Sequence, residues 1–454
     1  MVQGAAGARA RLSWAFFDWA NQPFFTVITT FIYAPFFAAV VVGDTVKGQA
    51  LWGYTQAAAG LAIALLSPIL GAAADVSGRR KPWILTFQAL TVLGCLMLWW
   101  VRPGDAFAVT LAMLAIVIAT IGAEFSIVFN NALLPGLVSP ARMGRLSGLG
   151  WGMGYAGGLV ALLLVLLASR PELFGIVTPA GQVLFGVERT EHIAERATGP
   201  GSALWLVVFV LPMFLFVPEA GRRELSLGTA IAAGLGRLLG TLRRLGDYRR
   251  QLRFLIAFML YNDGLAAVIA FGGIYAAGSF GWGTTELGLF GIVLTVIAMA
   301  GAFAGGWLDD RLGSKRAVLL AILLVGLATL GIMSLDARHA LFLLELPPPV
   351  PGGGLFASTQ EKFFLGFALL LGLGMGPMQA ASRTLIGRLA PPDMVGEFYG
   401  LFALSGKATT FLAPFLIALI TQATGSQRPG LVVVLVFLGL GLVLLVPLRE
   451  PNHP

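Results

Sequence analysis

Four ionisable residues, Asp18, Glu124, Asp263 and Lys407, lie inside long apolar segments of the sequence. A charge at the centre of a membrane span costs about 2.5–3.5 kcal/mol on insertion scales, so such residues are rare and usually functional. We therefore expect them to bind a charged solute or to carry a proton. The alternative is a set of mutually satisfied ion pairs or gate locks, which would produce the same pattern.

The depth of each charge within its segment separates their expected roles. With a helical rise of about 1.5 Å per residue, Asp263 lies about 18 Å into its segment, near the midplane of a bilayer. Lys407 lies at a similar depth, so these two side chains could pair or could bind the opposite ends of a zwitterion. Asp18 and Glu124 lie nearer the side that is expected to be cytoplasmic. Asp263 is the preferred proton carrier and Glu124 the second.

Polar residues near these charges extend the predicted pathway. Asn21 follows Asp18 by three positions and therefore shares its helix face. Arg383 lies near the cytoplasmic end of its segment and is a candidate inner-gate partner for Asp18 or Glu124. For each Asn or Gln alone, a hydrogen bond between helices is an equally good explanation. The complete predicted set is Asp18, Asn21, Glu124, Asn130, Asn131, Tyr261, Asn262, Asp263, Gln379, Arg383 and Lys407.

Composition identifies the solvent that surrounds most of the chain. Apolar residues make up 57% of the 454 residues, charged residues only 11%, and the mean hydropathy is +0.85. Soluble domains carry about 25% charged residues, so lipid must cover most of this surface. The 59 glycines suit the close packing of membrane helices. With one cysteine and three histidines, we expect no disulfide, no metal site and no cofactor.

Twelve apolar segments are long enough to cross a bilayer, which needs roughly 20 residues per helix. The first follows Arg9 and Arg11 but is too long for a signal peptide and contains Asp18, so we expect it to be retained. The predicted fold class is an all-α polytopic membrane protein. Its predicted helices are 13–41, 50–73, 82–101, 106–132, 146–168, 201–217, 251–277, 287–308, 316–334, 362–382, 396–421 and 429–447.

The distribution of basic residues predicts the orientation of these helices. With the amino terminus in the cytoplasm, 21 of the 30 Lys and Arg residues lie in cytoplasmic segments and 8 in outer segments. This asymmetry explains the net charge of +8 better than nucleic-acid binding does. The longest basic connection, 218–250, falls between the sixth and seventh helices. It predicts an N-terminal six-helix bundle over 1–217, a cytoplasmic linker, and a C-terminal bundle over 251–454, with both termini cytoplasmic.

Two matches between the halves indicate an internal repeat. The segment GAAADVSGRRK from Gly71 and the segment GWLDDRLGSKR from Gly306 align at an offset of 235 residues, and NALLPGLVSPARMGRLSGL from Asn131 matches RTLIGRLAPPDMVGEFYGL from Arg383 at an offset of 252. The first pair suits a hinge, since glycine allows close contact and an aspartate can bind a helix amino terminus. The predicted hinge residues are Gly71, Asp75, Gly78, Arg79, Arg80, Gly306, Asp310, Arg311, Gly313 and Lys315.

The repeated Gly-x-x-x-Asp loop resembles the loop signature of the major facilitator superfamily. Further segments resemble its vacuole-effluxer (autophagy-related) family, which has bacterial members. The resemblance covers nearly the whole chain and implies two six-helix halves around a cavity lined by helices 1, 4, 7 and 10. It also implies transport, since yeast members are associated with the efflux of amino acids from the vacuole. The segments are WAFFDWAN from Trp14, NALLP from Asn131, SGLGWGMGY from Ser147, LYNDG from Leu260 and QAASR from Gln379.

These observations predict a secondary transporter that moves a small solute by alternating access, with proton coupling. The resemblance and the mixed charges favour an amino acid or similar zwitterion. An exporter of drugs or amphipathic metabolites is the second hypothesis, and a non-transporting membrane sensor or scaffold is the third. An enzyme is not expected, because the sequence has no ATP-binding Gly-x-x-x-x-Gly-Lys loop and no Ser/His/Asp arrangement. We expect a monomer in a bacterial cytoplasmic membrane.

Overall fold

The computed structural model describes residues 6–177, 192–219, 227–243, 245–282, 284–336, 338–348 and 354–450. Within these residues, twelve helical segments are long and apolar enough to cross a membrane, as the sequence predicts. We number these spans 1 to 12. Their principal helices are Ala8–Pro23, Thr45–Ser77, Lys81–Met97, Ala108–Leu137, Met143–Ser169, Ile193–Phe216, Arg249–Phe280, Thr284–Leu312, Ser314–Met333, Thr359–Leu389, Val395–Lys407 with Leu412–Thr424, and Val432–Leu445.

Several spans extend beyond the apolar segments that the sequence defines. Span 10, for example, continues to Leu389, and span 6 already begins at Ile193. The first turn of span 6 holds Arg196, which the sequence analysis counted among the outer loop residues. Its guanidinium is buried and donates to the Trp99 carbonyl oxygen at 2.6 and 3.0 Å. A polar residue can therefore belong to a helix when the neighbouring span supplies its hydrogen-bond partner.

Spans 1 and 11 are irregular, and proline explains both departures. Proline lacks an N–H and its ring clashes with the carbonyl group four residues earlier. After Pro23, span 1 continues as π-helix over Phe24–Phe31, and the freed Trp19 carbonyl oxygen accepts a bond from Trp205 Nε1 at 3.2 Å. Span 11 is interrupted by a turn over 408–411, just before Pro414.

Contacts divide the chain into two compact units. The first contains Met1–Leu137, Met153–Leu239 and Pro392–Gly400, and the second contains Val138–Gly152, Gly240–Pro391 and Leu401–Pro454. Each unit therefore includes a short segment from the opposite half of the sequence. The domain boundaries that the sequence suggests, at 217 and 251, stay a prediction.

The helix pairs inside the two units correspond to one another. In the first unit, span 4 packs against spans 2 and 3, and span 6 packs against spans 1 and 3. In the second unit, span 10 packs against spans 8 and 9, and span 12 packs against spans 7 and 9. Adding six to each span number in the first unit gives the corresponding pair of spans in the second unit. The two six-helix pseudo-repeats expected from the sequence are thus present.

Two shorter elements connect the spans. A helix over Leu227–Arg243, which we call the linker helix, occupies part of the basic connection between spans 6 and 7. The basic residues of this connection predict a linker, and this helix is not among the helices that the sequence predicts. A two-stranded antiparallel hairpin pairs His339–Ala340 with Leu344–Glu345 between spans 9 and 10.

Spans 3 and 4 pack closely through glycine. A Cβ atom on Gly122 would lie 2.5 Å from the Phe87 carbonyl oxygen, whereas a Cβ on Gly136 of the same span would meet open space. We predict that Gly122→Ala lowers the free energy of unfolding by about 1–3 kcal/mol because the helices must separate. Gly136→Ala, the matched control, should cause no loss. Thermal unfolding of the purified protein measures both, and equal stability of the two variants would contradict the packing.

Candidate functional site

Asp263 lies in span 7 and its side chain is fully buried. Among the described residues, neither of its carboxylate oxygens has a hydrogen-bond partner. The hydroxyl group of Thr409, in the interruption of span 11, is the polar group that faces it. Next to Asp263 in span 7, Gly264 packs against Phe437 and Leu438 of span 12. Within the described part of the chain, spans 7 and 11 therefore bury a carboxyl group that has no ion-pair partner.

The neighbours of Asp263 connect span 7 to spans 10 and 11. The buried hydroxyl group of Tyr261 lies 2.6 Å from Ser382 Oγ, and Ser382 in turn donates to the Met378 carbonyl oxygen. Asn262 Nδ2 approaches the Gly406 carbonyl oxygen at 3.4 Å. Of the three, only Asp263 lacks a partner, which distinguishes it chemically.

Arg383 of span 10 is buried and is fixed by the beginning of span 5. Its Nε donates to Ser147 Oγ at 2.9 Å, and Nη2 donates to the Ser147 carbonyl oxygen at 2.6 Å. The guanidinium also lies 5.7 Å from the Trp151 ring centre. Sequence analysis did not identify Ser147 as a partner. Pairing of Arg383 with Asp18 or Glu124 stays a prediction.

Asn21 belongs to a buried amide network in the first unit. Gln88 Nε2 of span 3 donates to Asn21 Oδ1 and to Ser126 Oγ of span 4, both at 3.0 Å, and Asn21 Nδ2 donates to the Phe17 carbonyl oxygen. This network joins spans 1, 3 and 4. For Asn21 it favours the alternative of a hydrogen bond between helices. Gln88 and Ser126 were missed, although each is a polar residue in an otherwise apolar segment.

The other predicted pathway residues lie on spans 1, 4, 10 and 11. Asp18 faces span 5, since a Cβ atom on Gly154 would lie 3.5 Å from the Asp18 Cβ atom. The Asn130 side chain is fully buried, and its amide atoms have no hydrogen-bond partner within the described part of the chain. Asn131 is buried, whereas Asp18, Glu124, Gln379 and Lys407 are partly exposed.

Asp75, at the end of span 2, binds the amino terminus of span 11. Its Oδ1 accepts from the Gly396 N–H at 2.8 Å, and Oδ2 accepts from the Glu397 N–H at 2.9 Å. Arg80 adds an ion pair at 2.9 Å. A carboxylate at this position neutralises the positive end of a helix and satisfies amides that have no intrahelical partner. Gly71 has no Cβ, so span 11 can approach to direct contact with its backbone.

Asp310 makes the corresponding contact in the second unit. Its Oδ1 accepts from the Gly144 N–H at 2.8 Å, at the amino terminus of span 5. Gly144 is the residue that aligns with Gly396 in the sequence repeat, as Asp310 aligns with Asp75. Gly306 allows close approach here as Gly71 does in the first unit. The same carboxylate-to-helix contact therefore occurs twice.

The remaining predicted hinge residues lie in or beside the turns that follow spans 2 and 8. Gly78 and Gly313 have positive φ angles of 69° and 89°, a backbone conformation that favours glycine. Arg79 lies 3.7 Å from Glu219, and the Arg311 guanidinium stacks 3.7 Å from the Trp307 ring centre. Lys315 Nζ donates to the Val446 carbonyl oxygen at 2.6 Å. In the other repeat, Lys81 Nζ donates to the Phe214 carbonyl oxygen at 2.8 Å.

Arg388 joins a cluster of carboxylates that sequence analysis did not recognise. Its Nη1 lies 2.6 Å from Asp309 Oδ1 and 3.1 Å from Glu450 Oε1, and its Nη2 lies 3.7 Å from Asp310 Oδ1. Its Nη2 also donates to the Pro140 carbonyl oxygen, just before span 5. One guanidinium thus contacts three acidic side chains and compensates part of their negative charge.

We predict that Arg388→Gln is strongly destabilising. Removing one partner of a buried ion pair typically costs about 3–5 kcal/mol, because the remaining charges stay buried without compensation. Arg449→Gln, which removes an exposed arginine beside Glu450, is the control and should leave stability nearly unchanged. Unfolding in denaturant measures both variants. Equal stability of Arg388→Gln and the unmodified protein would show that the cluster does not hold these spans together.

Comparisons with known proteins agree with this architecture. The family model described as "Vacuole effluxer Atg22 like" matches residues 37–452. The chain is 27% identical over 446 residues to an uncharacterized MFS-type transporter, YxiO, of Bacillus subtilis, covering 96% of this chain and 94% of that protein. It is 26% identical over 320 residues to autophagy-related protein 22-1 of Neosartorya fischeri, covering 67% of this chain but 48% of that protein.

Solved structures show the same fold. The proton:xylose symporter XylE superposes with a TM-score of 0.69 at 13% identity, covering 98% of this chain and 96% of that one. A bacterial homologue of the iron transporter ferroportin superposes with a TM-score of 0.64 at 17% identity, covering 97% and 98%. The fold, the repeat and the family match together indicate a transporter and not an enzyme. The chain therefore belongs to the Atg22-like vacuole-effluxer family of major facilitator transporters.

Proposed function

We propose that this transporter moves a small zwitterionic solute, such as an amino acid, by alternating access, and that protonation of Asp263 couples transport to the proton gradient. The membrane is proposed to be a bacterial cytoplasmic membrane with both termini inside. Support for the orientation comes from the excess of Lys and Arg in the connections that would then be cytoplasmic.

The observation that carries the coupling proposal is the burial of Asp263 without a partner. An isolated ionised carboxylate in a medium of low polarity is very unfavourable, so the group takes up a proton instead. Its charge changes only if the surroundings change, for example when water or a charged solute enters. That dependence is what a coupled transport cycle needs.

Support for a zwitterionic solute comes from charges of both signs among the predicted pathway residues. Asp18 and Glu124 provide negative charge on spans 1 and 4, and Lys407 provides positive charge on span 11. The matched family model is named for vacuole effluxers, and it is consistent with an amino-acid-sized cargo without fixing the direction.

The two carboxylate-to-helix contacts provide reversible attachments between the halves of the sequence. Asp75 binds the start of span 11, and Asp310 binds the start of span 5. In the proposed cycle these bonds break when the pathway opens to the cytoplasm and form again when it closes. Hydrogen bonds at helix ends suit this purpose, since water can replace the lost partner once the contact has opened.

We predict that Asp263→Asn abolishes the response of uptake to a pH gradient. Asparagine keeps the size of the side chain but carries no ionisable proton. The measurement is solute uptake into proteoliposomes with and without an imposed gradient, after a thermal-shift panel of metabolites has identified the solute. Exchange of labelled solute at equal pH should persist in the variant, because exchange needs no net proton movement.

The matched control for this prediction is Asp336→Asn. Asp336 is exposed between spans 9 and 10, and the Arg338 and His339 N–H groups hold the pKa of its carboxyl group below the usual range. This group therefore stays ionised near neutral pH and should not contribute to coupling. Gradient-driven uptake by Asp263→Asn at the level of this control would contradict the proposal.

A further inference from the structure

The interruption of span 11 creates a group of oxygen atoms beside Asp263. The first half-helix of the span ends at Lys407, and the second begins at Leu412. Near the end of the first half-helix, two carbonyl oxygens bond to side chains in place of backbone amides. Asn262 approaches the Gly406 oxygen, and Thr410 Oγ1 donates to the Lys407 oxygen at 3.1 Å. The carboxyl end of a helix carries a partial negative charge.

The Thr409 hydroxyl and the Asp263 carboxylate are buried and face each other, and within the described residues neither has another hydrogen-bond partner. No described Lys or Arg forms an ion pair with this carboxylate. A carboxylate and a helix carboxyl end have the same sign, so an ionised Asp263 at this position would be stabilised by a cation between them. Broken helices in transporters bind Na⁺ or H⁺ in this way, through released carbonyl groups and half-helix carboxyl ends.

We propose that this group of oxygens binds a sodium ion, which replaces the proton on Asp263. The inference rests on the proposed coupling role of Asp263 and adds a second ion to it. Carboxylate, hydroxyl and carbonyl oxygens are the ligands that hard cations prefer. A single carboxylate compensates one positive charge, which favours a monovalent ion over Ca²⁺ or Mg²⁺.

The test compares thermal unfolding of the purified full-length protein in sodium chloride, potassium chloride and choline chloride at equal ionic strength. Sodium should raise the midpoint, increasingly with its concentration, because an ion that binds only the folded state stabilises it by mass action. Thr409→Val should lose this response. Thr424→Val, which alters an exposed hydroxyl group at the end of span 11, should keep it, and Asp263→Asn should lose it.

The outcomes separate this inference from the coupling proposal. An equal midpoint in sodium and choline, or a sodium response that survives in Thr409→Val, would overturn the sodium site. Thr409→Val retains the carboxyl group, so its uptake should still respond to a pH gradient. If the gradient response is absent in the unmodified protein while sodium still stabilises it, the proton proposal fails and the sodium site stands.

A second inference rests on the linker helix, which docks where Asp75 binds span 11. A Cβ atom on Gly234 would lie 2.5 Å from the Ala73 backbone nitrogen in span 2, so this face is in backbone contact. Ala230 and Leu238, four residues to either side, are buried on the same face. The helix is therefore packed against the end of span 2.

Arg237 extends this contact to the beginning of span 11. Its Nη2 lies 2.6 Å from Asp393 Oδ2, and its Nε lies 3.7 Å from the Glu397 carboxylate, which is fully buried. The Glu397 N–H is one of the two amides that Asp75 binds. We infer that the linker helix is a clamp that stabilises the contact between Asp75 and span 11, with Arg237 as a positioning residue.

Hydrogen exchange of the Gly396 and Glu397 amides tests the clamp directly. Gly234→Leu and Arg237→Gln should each accelerate exchange at these amides by at least about tenfold, equivalent to about 1.4 kcal/mol. Gly236→Leu, where a side chain meets open space, and Arg243→Gln, which alters an exposed arginine, should leave it unchanged. Unaltered exchange in Gly234→Leu and Arg237→Gln, with the docked helix still folded by circular dichroism, would overturn the inference.

Discussion

A helix bundle in lipid must satisfy its polar groups internally, because the bilayer core offers no hydrogen bonds. This protein meets that requirement at its helix ends with carboxylates. Asp75 and Asp310 each bind amides that begin a span from the opposite half of the sequence. The contacts are symmetric in the repeat, short in both cases and made possible by glycine on the neighbouring backbone. These bonds partly explain why each unit contains segments from both halves of the sequence.

Asp263 departs from this internal satisfaction, as the buried Asn130 amide also does. The amide network of Asn21, Gln88 and Ser126 supplies partners for most of its own donors, and the Arg388 guanidinium contacts three carboxylates at once. At Asp263 the fold instead places a carboxyl group beside a broken helix. A group that is costly as an ion and without a partner is suited to changing its charge during a cycle.

The sequence predicted the architecture well because lipid imposes strong rules on composition. Twelve spans, the fold class and the repeat follow from apolar length and from two aligned motifs. The positions of Asp75 and Asp310 at helix ends followed from the spacing of glycine and aspartate, although their partners Gly396 and Gly144 did not. Those partners are set by tertiary contacts across hundreds of residues.

The Arg388 cluster, the interruption of span 11 and the linker helix leave only weak signals in the local sequence. Glu450 and Pro140 reach Arg388 only through packing, and no local pattern marks them as partners. The interruption before Pro414 had a signal, since proline disrupts the preceding turn, but a continuous apolar run concealed it. The linker helix has an apolar face interrupted by Arg237, which in sequence resembles the rest of a basic connection.

The central claim is that Asp263 changes protonation, and infrared difference spectroscopy observes this directly. The protein would be titrated between two pH values in choline buffer, and the spectrum of Asp263→Asn would be subtracted from that of the unmodified chain. The account predicts a protonated carboxyl band that belongs to Asp263 and disappears at the higher pH. A carboxylate at this position that stays ionised throughout the pH range of transport would contradict it.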